Sequence, residues 1–296
     1  MQKKFNILIS GGTGFLGSNL VNYLFKKKKY NIHILKRSNS NLTRINKNIL
    51  NKLNFILFPN KNLAKIFQKK KIIGVIHCAT NYGKEKSTIS EIIQPNLILP
   101  MQLLDLCYLN RAKFFLNTDT ILDKRVSNYS LSKNQFSEWL KHYSKNFTCI
   151  NMKIEHFFGP GDNDTKFVIS TIKSFLNNKK NLNFTLGTQK RDFIYIDDVV
   201  SAMDKVLSYA LKKKRGYDLF EVGTGTNVSI KNIVKLIKKV CKNKTSKLNF
   251  GNIPMRKNEL FKVNLNLNKL TSLKWKPKYN LENSLKKTVN YYKNNQ

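Results

Sequence analysis

The chain opens with a strand pattern, a glycine-rich turn and a helix pattern, in that order. Residues 5–10 are an apolar run of strand length, residues 11–17 read GGTGFLG, and apolar side chains then recur at helical spacing. We interpret Gly11 as permitting a tight turn, Gly14 as letting a pyrophosphate approach the backbone, and Gly17 as letting the helix pack closely. This order predicts a dinucleotide-binding βα unit whose helix N-terminus faces the phosphates.

The composition is that of a folded enzyme-sized chain. With 296 residues, 41% of them hydrophobic, the chain can bury a large core, and we expect two lobes. We find no apolar run of bilayer length and no signal-peptide pattern, and therefore expect a cytoplasmic protein without a membrane partner. The cysteines lack a CxxC pair, so buried, inert thiols are favoured over a disulfide or a metal site. They are Cys78, Cys107, Cys149 and Cys241.

The formal net charge of +37 is extreme and raises the question of nucleic-acid binding. Lysine runs at residues 26–29, 69–71 and 212–214 each follow a helix-like segment, where cations suit the C-terminal end of the helix dipole. Basic stretches interleaved with aromatic residues do not stand out. We therefore favour a compositional origin for the charge and expect no specific nucleic-acid partner.

The second predicted strand, residues 31–35, ends at Lys36, Arg37 and Ser38. At this point of a dinucleotide-binding fold, an acidic residue binds the free 2′-hydroxyl of NAD, whereas a cation accommodates the 2′-phosphate of NADP. Two cations and no carboxylate stand here, and in so basic a chain the missing acid is the stronger evidence. The sequence therefore favours NADP(H) over NAD(H).

Strand and helix patterns alternate through the first half of the chain. Further strands are predicted at 55–58, 72–79, 113–117 and 149–154, and helices at 63–70 and 92–109, the latter interrupted by Pro95 and Pro100. This alternation predicts an α/β fold with a doubly wound parallel sheet of the Rossmann type. Residues 80–83 follow a fully apolar strand and are expected to face the cofactor beyond its carboxyl end.

Tyr129 and Lys133 open a predicted helix that continues through Tyr143, and their spacing places both on one helix face. An ammonium near a phenol favours the phenolate, so we expect Lys133 to lower the pKa of Tyr129. Alone, such a pair has little specificity in a lysine-rich chain. After a glycine turn, a parallel sheet and Thr118 at a strand end, it indicates a proton-transfer site.

These features resemble the extended short-chain dehydrogenases/reductases of the nucleotide-sugar epimerase/dehydratase family. The resemblance runs nearly end to end. Its motifs are the residues 11–17, HCA at 77–79, Thr118, Tyr129 with Lys133, FGPGD at 158–162, RDFIYIDDV at 191–199, EVGTG at 221–225 and LKWKP at 273–277. Within the family, residues 36–38, 117–120 and 153–162 and the short spacing from Thr118 to Tyr129 are most similar to CDP-abequose synthases, NADPH-dependent reductases of 4-keto dideoxysugars for O-antigen.

The resemblance implies a role for each matched position. Catalysis is implied for Thr118, Tyr129 and Lys133. Cofactor contacts are implied for Gly11, Thr13, Gly14, Phe15, Leu16, Lys36, Arg37, Ser38, Ala79, Thr80, Tyr129, Lys133 and Ile154. Contacts to a nucleotide-diphosphate sugar are implied for Thr118, Asp119, His156, Phe167, Arg191 and Arg256.

A guanidinium suits a diphosphate because its donors engage two oxygens at once. For Arg191 a salt bridge to Asp192 or Asp197 is the alternative, and Arg256 can equally be a solvated surface charge. No metal is expected.

Two positions depart from the family pattern. Family 4,6-dehydratases carry Thr-Asp-Glu where this chain has Thr118, Asp119 and Thr120, so the sequence argues against dehydration. His156 stands where family members usually carry a substrate-contacting Asn, which leaves the identity of the sugar open. A partly buried histidine with satisfied hydrogen bonds is the structural alternative.

The resemblance also predicts the domain organisation. Residues 1–156 with a returning segment, 191–223, are expected to form the NADP-binding Rossmann domain. Residues 157–190 and 224–296 are expected to form a smaller α/β lobe that binds the nucleotide sugar. Relatives commonly form dimers through two long core helices, which implies a homodimer.

The sequence thus predicts an NADPH-dependent reductase of the 4-keto group of a nucleotide-linked deoxysugar. A 4-epimerase that retains NAD(P) through its cycle is the alternative on the same fold. A non-catalytic RNA-binding protein on this scaffold is suggested by charge alone, and the matched Thr118, Tyr129 and Lys133 argue against it.

Overall fold

The computed structural model describes residues 4–83, 87–255 and 259–295. The chain divides into two compact units. Unit 1 comprises Met1–Ile154 and Val200–Glu221, and unit 2 comprises Glu155–Val199 and Val222–Gln296.

The first half of the chain alternates strands and helices, as predicted. In order it contains β1 (Phe5–Ser10), α1 (Phe15–Lys26), β2 (Tyr30–Lys36), a 3₁₀ turn (Lys47–Lys52), β3 (Asn54–Leu57), α2 (Leu63–Lys69), β4 (Gly74–His77), α3 (Ile89–Ile93), a π-helical turn (Gln94–Ile98), α4 (Leu99–Leu109), β5 (Phe114–Thr120), α5 (Asn128–Tyr143) and β6 (Thr148–Ile154). The second half adds β7 (His156–Phe158), α6 (Phe167–Leu176), β8 (Asn181–Phe184), β9 (Lys190–Tyr195), α7 (Ile196–Ala210), β10 (Gly216–Val222), β11 (Asn227–Ser229), α8 (Ile230–Cys241), β12 (Lys247–Phe250), α9 (Asn268–Ser272) and α10 (Leu281–Asn294).

Among the described residues, unit 1 is built on a seven-stranded sheet of order β10-β6-β5-β4-β1-β2-β3. The pairs formed by β1 to β6 are parallel. The order reverses between β1 and β4, so the glycine turn after β1 and the polar end of β4 lie at the switch point where such sheets bind ligands. The predicted doubly wound Rossmann fold is confirmed.

The central strands are apolar because helices cover both faces of a parallel sheet. Ile7, Leu8 and Ile9 of β1 are fully buried. On one face Leu8 belongs to a core cluster with Phe115 of β5 and Phe136 of α5. This packing holds α5, which carries the predicted catalytic Tyr129 and Lys133, against the sheet.

Strand β5 is longer than predicted. It continues through Thr120 because its pairing with β6 stays in register to the pair Thr120–Ile154. Thr118, Asp119 and Thr120 are therefore strand residues, each less than 10% exposed, and not a loop after the strand.

The helix predicted at 92–109 begins earlier, at Ile89, because Thr88 and Glu91 form a capping box. Pro95 lies in the π-helical turn, and Pro100 lies in the first turn of α4, so neither proline ends the helical path.

We expected no apolar segment long enough to cross a bilayer. This expectation is wrong, because one helical stretch has both the length and the apolar composition that are required. Within the described ranges, Ile89–Leu109 is the one helical stretch that meets both criteria. Its Leu99, Leu103 and Leu104 are buried in the core of unit 1, as expected for a core helix.

Unit 2 contains a three-stranded sheet of order β11-β9-β7 and a pair of parallel strands, β12 and β8. Helices α6, α8 and α10 contact one another. The sequence predicted that the chain returns to the Rossmann domain at Arg191, whereas in the structure Arg191 belongs to unit 2. Strand β9 pairs with β7 and β11 in unit 2, and the chain rejoins unit 1 only at Val200.

Candidate active site

The glycine turn after β1 has the predicted geometry. Gly11 has φ +71°, and a Cβ there would lie 2.6 Å from the Cα of Ala79, so only glycine fits. A Cβ at Gly17 would lie 2.8 Å from the Cα of Gly12, which explains the close packing of helix against turn.

Gly14 is the exposed N-cap of α1, and its N–H donates to the carbonyl of Gly11 at 3.0 Å. The first turn of α1 carries no acidic side chain. Thr13 is half-buried, while Phe15 and Leu16 are buried in the first turn of the helix. The backbone here has the arrangement with which helix N-termini bind phosphates.

The predicted cofactor-selecting residues lie at the carboxyl end of β2. Lys36 is half-buried, and its Nζ donates to the carbonyl of Arg37 at 3.3 Å. The N–H of Arg37 donates to Ser40 Oγ at 3.0 Å, and Arg37 and Ser38 are exposed. Because β2 pairs with β1 up to Ser10, these cations lie beside the glycine turn.

Hydrogen bonds of His77 connect β4 to β1 and to β5 at the switch point of the sheet. Its Nδ1 shares a hydrogen bond of 2.7 Å with Ser10 Oγ, and its carbonyl accepts the Thr118 hydroxyl at 2.9 Å. Burial and the charge of Lys133 hold the pKa of His77 well below its usual value. His77 is therefore a neutral structural residue, and the Thr118 hydroxyl bonds a backbone carbonyl within the sheet.

Tyr129 lies in the first turn of α5, half-buried, and the side chains of Thr120 and Thr80 lie near its hydroxyl, where they act to lower its pKa. Burial is the main cause that raises the pKa of Tyr129, nearby Tyr82 and Asp119 add to it, and the two threonines only partly oppose this. The expectation of a lowered pKa is wrong for this structure, since desolvation of the phenol is the largest effect.

Thr120 thus lies beside Tyr129, while the hydroxyl of Thr118, the predicted catalytic threonine, donates to the His77 carbonyl in this structure. Residues two apart on a strand share a face, and Thr120 is two positions nearer the carboxyl end of β5. The resemblance to Thr-Asp-Glu hid this, because it placed Thr120 at the glutamate position. The available signal was a second threonine two positions after Thr118.

Asp119 points into a buried polar network, although a substrate contact was predicted for it. Its carboxylate accepts the N–H of Thr120 at 2.7 Å and the amide of Asn151 at 2.6 Å. Asn151 also bonds Ser137 and Asn117. Burial raises the pKa of Asp119, and Lys133 opposes the shift.

Asn96, which the sequence analysis did not select, fixes the loop after β4. Its side-chain oxygen accepts Thr80 Oγ1 at 2.9 Å and the Asn81 N–H at 3.0 Å. Its amide donates to the Asn81 carbonyl at 2.8 Å and to Ser132 Oγ at 3.1 Å. Ser132 in turn donates to the Tyr129 carbonyl at 2.8 Å. Asn96 lies in the π-helical turn, a distortion that is frequent at functional sites.

Of the residues predicted to contact substrate, His156 and Phe167 have clear positions in unit 2. His156 Nδ1 lies 2.5 Å from the buried Glu155 carboxylate, and the imidazole packs edge-on against Phe193. Its side chain is 40% exposed. Phe167 opens α6 half-buried, with its ring 6.5 Å from that of Phe184.

Arg191 is 6% exposed, and its ion pair is with Glu259, not with Asp192 or Asp197 as the alternative had it. Its guanidinium donates to Glu259, to the Leu260 carbonyl at 2.5 Å and to the Lys190 carbonyl at 2.7 Å. Asp192 instead accepts hydrogen bonds from Thr224 and Gly225. Arg256 lies outside the described residues.

The four cysteines are free and buried, as predicted, and burial raises the pKa of each thiol. In the described part of the chain, no group of three His, Cys, Asp or Glu side chains is arranged to hold a metal ion.

Comparison with known proteins identifies the family of this site. Residues 7–223 match the NAD dependent epimerase/dehydratase family. The chain belongs to this family. It is therefore an NAD(P)-dependent enzyme of the extended short-chain dehydrogenase/reductase type.

Two curated relatives within this epimerase/dehydratase family are CDP-abequose synthases. That of Salmonella muenchen is 36% identical over 293 residues, covering 96% of each chain. That of Salmonella typhimurium is 32% identical over 295 residues, covering 96% of this chain and 97% of the relative. The solved UDP-glucose 4-epimerase of Thermotoga maritima shares the fold, with a TM-score of 0.84 and 22% identity over 98% of this chain and 99% of that one.

The family's nicotinamide cofactor fits the residues around Lys133. Lys133 is 1% exposed, and its ammonium lacks a hydrogen-bond partner among the described residues. Burial lowers its pKa, and the charge of Asp119 opposes that shift. A buried cation without acceptors is costly, so ligand hydroxyls at this position would satisfy it. On either side of β5, Ala79 follows the end of β4, and the buried Ile154 ends β6.

Proposed function

We propose that the protein reduces the 4-keto group of a nucleotide-activated deoxysugar, CDP- or dTDP-linked, with NADPH, in the synthesis of O-antigen or another surface polysaccharide. The carrying observation is the half-buried Tyr129, with Thr120 and Thr80 near its hydroxyl, on the helix that also holds Lys133. The similarity to two CDP-abequose synthases supports the substrate class.

Tyr129 is the proton donor in this proposal. Its raised pKa keeps the phenol protonated at neutral pH, so it reaches the reaction carrying its proton. As the ketone becomes an alkoxide, negative charge develops on oxygen, and a donor about 2.6–3.2 Å away can neutralise it. Reduction itself supplies the driving force for transfer, because an alkoxide is far more basic than a phenolate.

Thr120 is the second donor to the ketone oxygen, in place of Thr118. Its hydroxyl lies near that of Tyr129, so a ketone oxygen bound by one lies within reach of the other. A fixed donor aimed at developing negative charge lowers the barrier without reorganisation. Thr118 retains its bond to the His77 carbonyl.

Lys133 is proposed to bind the hydroxyls of the nicotinamide ribose. When bound, NADPH supplies the hydride for carbon 4 of the sugar. We propose that Gly11, Thr13 and Gly14 at the N-terminus of α1 hold the pyrophosphate, and that Lys36 and Arg37 pair with the 2′-phosphate.

Unit 2 is proposed to bind the nucleotide sugar, as unit 1 is proposed to bind the dinucleotide. His156, Phe167, Arg191 and Arg256 remain the residues proposed for it. Because Glu259 already holds the Arg191 guanidinium, a diphosphate would have to share that guanidinium with Glu259 or displace it.

A 4-epimerase is the second candidate, since a UDP-glucose 4-epimerase has the same fold. Both enzymes need a tyrosine and a nicotinamide. An epimerase returns to the sugar the hydride that it removed, whereas a reductase consumes the hydride of NADPH. Thr120 in place of the dehydratase glutamate argues against 4,6-dehydration. Specific RNA binding has no support beyond the charge of +37, and binding by charge alone would fall steeply with salt.

The experiment is NADPH oxidation, followed at 340 nm, against a panel of CDP-, dTDP- and UDP-linked 4-keto-6-deoxy sugars. Net oxidation with a CDP- or dTDP-linked sugar is expected. Interconversion of 4-hydroxyl epimers without net NADPH oxidation would instead identify an epimerase.

We also propose a cytoplasmic homodimer that forms through α4 and α5. Leu131 and Trp139 of α5 are 42% and 45% exposed, and Tyr108 and Leu109 of α4 are 49% and 72% exposed. Exposed apolar side chains on two long helices suit a helical interface. Light scattering should give a dimer mass, and Trp139→Glu should give the monomer.

A further inference from the structure

The first 84 residues of the chain contain no acidic side chain. All 17 Asp and Glu residues lie at or after Glu85, whereas residues 1–84 contain 17 Lys and Arg residues. A chain-wide excess of lysine explains the number of cations but not the absence of acids from one segment. The described part of this segment forms β1 to β4, α1 and α2, and β3 lies at one edge of the seven-stranded sheet. This segment thus supplies only cations to its edge of unit 1, which favours the binding of anions.

A cleft of about 620 Å³ lies on this edge, between the end of α1 and the 3₁₀ turn before β3. Its apolar lining consists of the half-buried Phe25 and the buried Ile49. Lys26, Lys28 and Lys47 add three exposed ammonium groups, and none of them forms an ion pair with another described residue. The dipole of α1 accounts for Lys26 in its last turn but not for Lys47, which comes from the opposite wall.

Hydrogen bonds fix the two walls of the cleft to each other. The side chain of Asn22 on α1 donates to the Arg44 carbonyl at 3.0 Å and accepts the N–H of Asn46 at 3.0 Å. The Asn46 carbonyl in turn accepts the N–H of Ile49 at 3.0 Å. On the other wall, Lys28 has a left-handed backbone conformation, φ 55°, which turns the chain after α1. The folded chain therefore forms the cleft without a ligand, and this lowers the cost of binding one.

The cleft lies at the opposite end of the strands from the proposed cofactor site. Strands β1, β2 and β3 are parallel. Lys28 comes just before β2, and the 3₁₀ turn comes just before β3, so both walls lie at the amino ends of these strands. The glycine turn after β1 and Lys36 lie at the carboxyl ends. The 12 residues of α1, about 18 Å of helix, separate the glycine turn from the cleft.

We propose that this cleft is a second nucleotide-binding site, which takes a nucleoside triphosphate by its phosphates and its base. The three ammonium groups supply donors and positive charge for a chain of phosphates. Phe25 and Ile49 supply apolar surface for the base, and the amides of Asn46 and Asn48 in the lining can bond its polar edge or the ribose. The volume of the cleft lies in the range of small-molecule sites, about 300–1,000 Å³.

The test is calorimetric titration of the full chain with ATP at physiological salt. Wild type should bind ATP, and the triple variant Lys26→Gln, Lys28→Gln and Lys47→Gln should bind it at least about tenfold more weakly, as expected for lost hydrogen bonds to a charged group. Inorganic tripolyphosphate should bind wild type about fivefold or more weakly than ATP does, because it lacks a base to pack on the apolar lining.

Three other lysines of the same segment offer a matched control. Lys61, Lys65 and Lys69 lie just before and on α2, and all are exposed. Changing them together to Gln removes the same charge and should leave the affinity for ATP within about twofold, because salt screens distant surface charges. Melting temperatures without ligand check that both triple variants are folded.

Three results would overturn the proposal. Equal weakening in both triple variants would mean that the overall charge, and not the cleft, attracts ATP. Tripolyphosphate that binds as tightly as ATP would mean that the base has no place in the cleft. ATP binding that the cleft variant retains, and that NADPH or CDP displaces, would belong to the proposed active site.

Discussion

The hydroxyl of Thr118 donates a hydrogen bond of 2.9 Å to the backbone carbonyl of His77. This bond joins β5 to β4 and uses the hydroxyl that the family resemblance assigned to catalysis. The next position on the same strand face, Thr120, lies near the Tyr129 hydroxyl instead. Two threonines two residues apart therefore have different roles, which substitution can separate.

Replacing each threonine by the isosteric valine should separate an effect on stability from an effect on turnover. Thr118→Val should lower the free energy of unfolding by about 1 kcal/mol, the usual net value of one buried hydrogen bond, and leave kcat nearly unchanged. Thr120→Val should reduce kcat by about 100-fold, as loss of an oxyanion donor does. Urea unfolding and steady-state kinetics measure the two effects. A larger loss of kcat in Thr118→Val would return the catalytic role to Thr118.

The Tyr129 phenol should resist ionisation in the ligand-free protein. An ordinary tyrosine is half-ionised near pH 10. Burial raises the pKa of Tyr129, so its phenolate should form only at higher pH than that. The difference in absorbance at 295 nm between wild type and Tyr129→Phe should show no phenolate at pH 10. Half-ionisation below pH 10 would mean that Lys133 controls the phenol after all.

Loss of the Lys133 ammonium should weaken NADPH binding. In wild type, NADPH should raise the melting temperature, because a ligand that binds only the folded state stabilises it. Lys133→Met should lose most of this shift, since the ribose hydroxyls lose their cation. Lys141→Met, an exposed position on the same helix, is the matched control and should keep the full shift. An unchanged shift in Lys133→Met would remove the lysine from the cofactor site.

The two cations after β2 should select the cofactor. Changing Lys36 and Arg37 together to Ala should weaken NADPH binding by about tenfold or more, the usual value of hydrogen bonds to a charged group, and change NADH binding little. The exposed pair Lys69 and Lys70, changed to Ala, controls for the loss of two positive charges. Fluorescence titration with both cofactors gives the constants. Equal affinity of the wild type for NADH and NADPH contradicts the assignment.

Much of the fold could be predicted from the sequence because its patterns are local. The glycine turn, the apolar strands and the spacing of Tyr129 and Lys133 each depend on neighbouring residues. The end of β5 could not be predicted, because Thr118 to Thr120 are polar, and only pairing with β6 keeps them in the strand. The boundary at Val200 likewise depends on which strands pair with β9.

The site was predicted less completely, since its hydrogen bonds join distant parts of the chain. Asn96 meets Thr80, Asn81 and Ser132 only after the helix and the sheet have packed, and no local pattern marks it. Arg191 pairs with Glu259, which lies 68 residues away in the sequence. The sign of the Tyr129 pKa shift depends on burial, which the i, i+4 spacing with Lys133 does not reveal.

The central claim is a net reduction at carbon 4, and stoichiometry tests it most directly. The measurement incubates the protein with NADPH deuterated at nicotinamide C4 and with CDP-4-keto-3,6-dideoxyglucose, and then determines NADPH consumed and deuterium in the sugar. The account predicts one NADPH oxidised for each sugar reduced, with deuterium at carbon 4, and loss of both in Tyr129→Phe. Failure of wild type to oxidise NADPH with any nucleotide-linked 4-keto sugar, together with epimerisation of a 4-hydroxyl sugar, would contradict it.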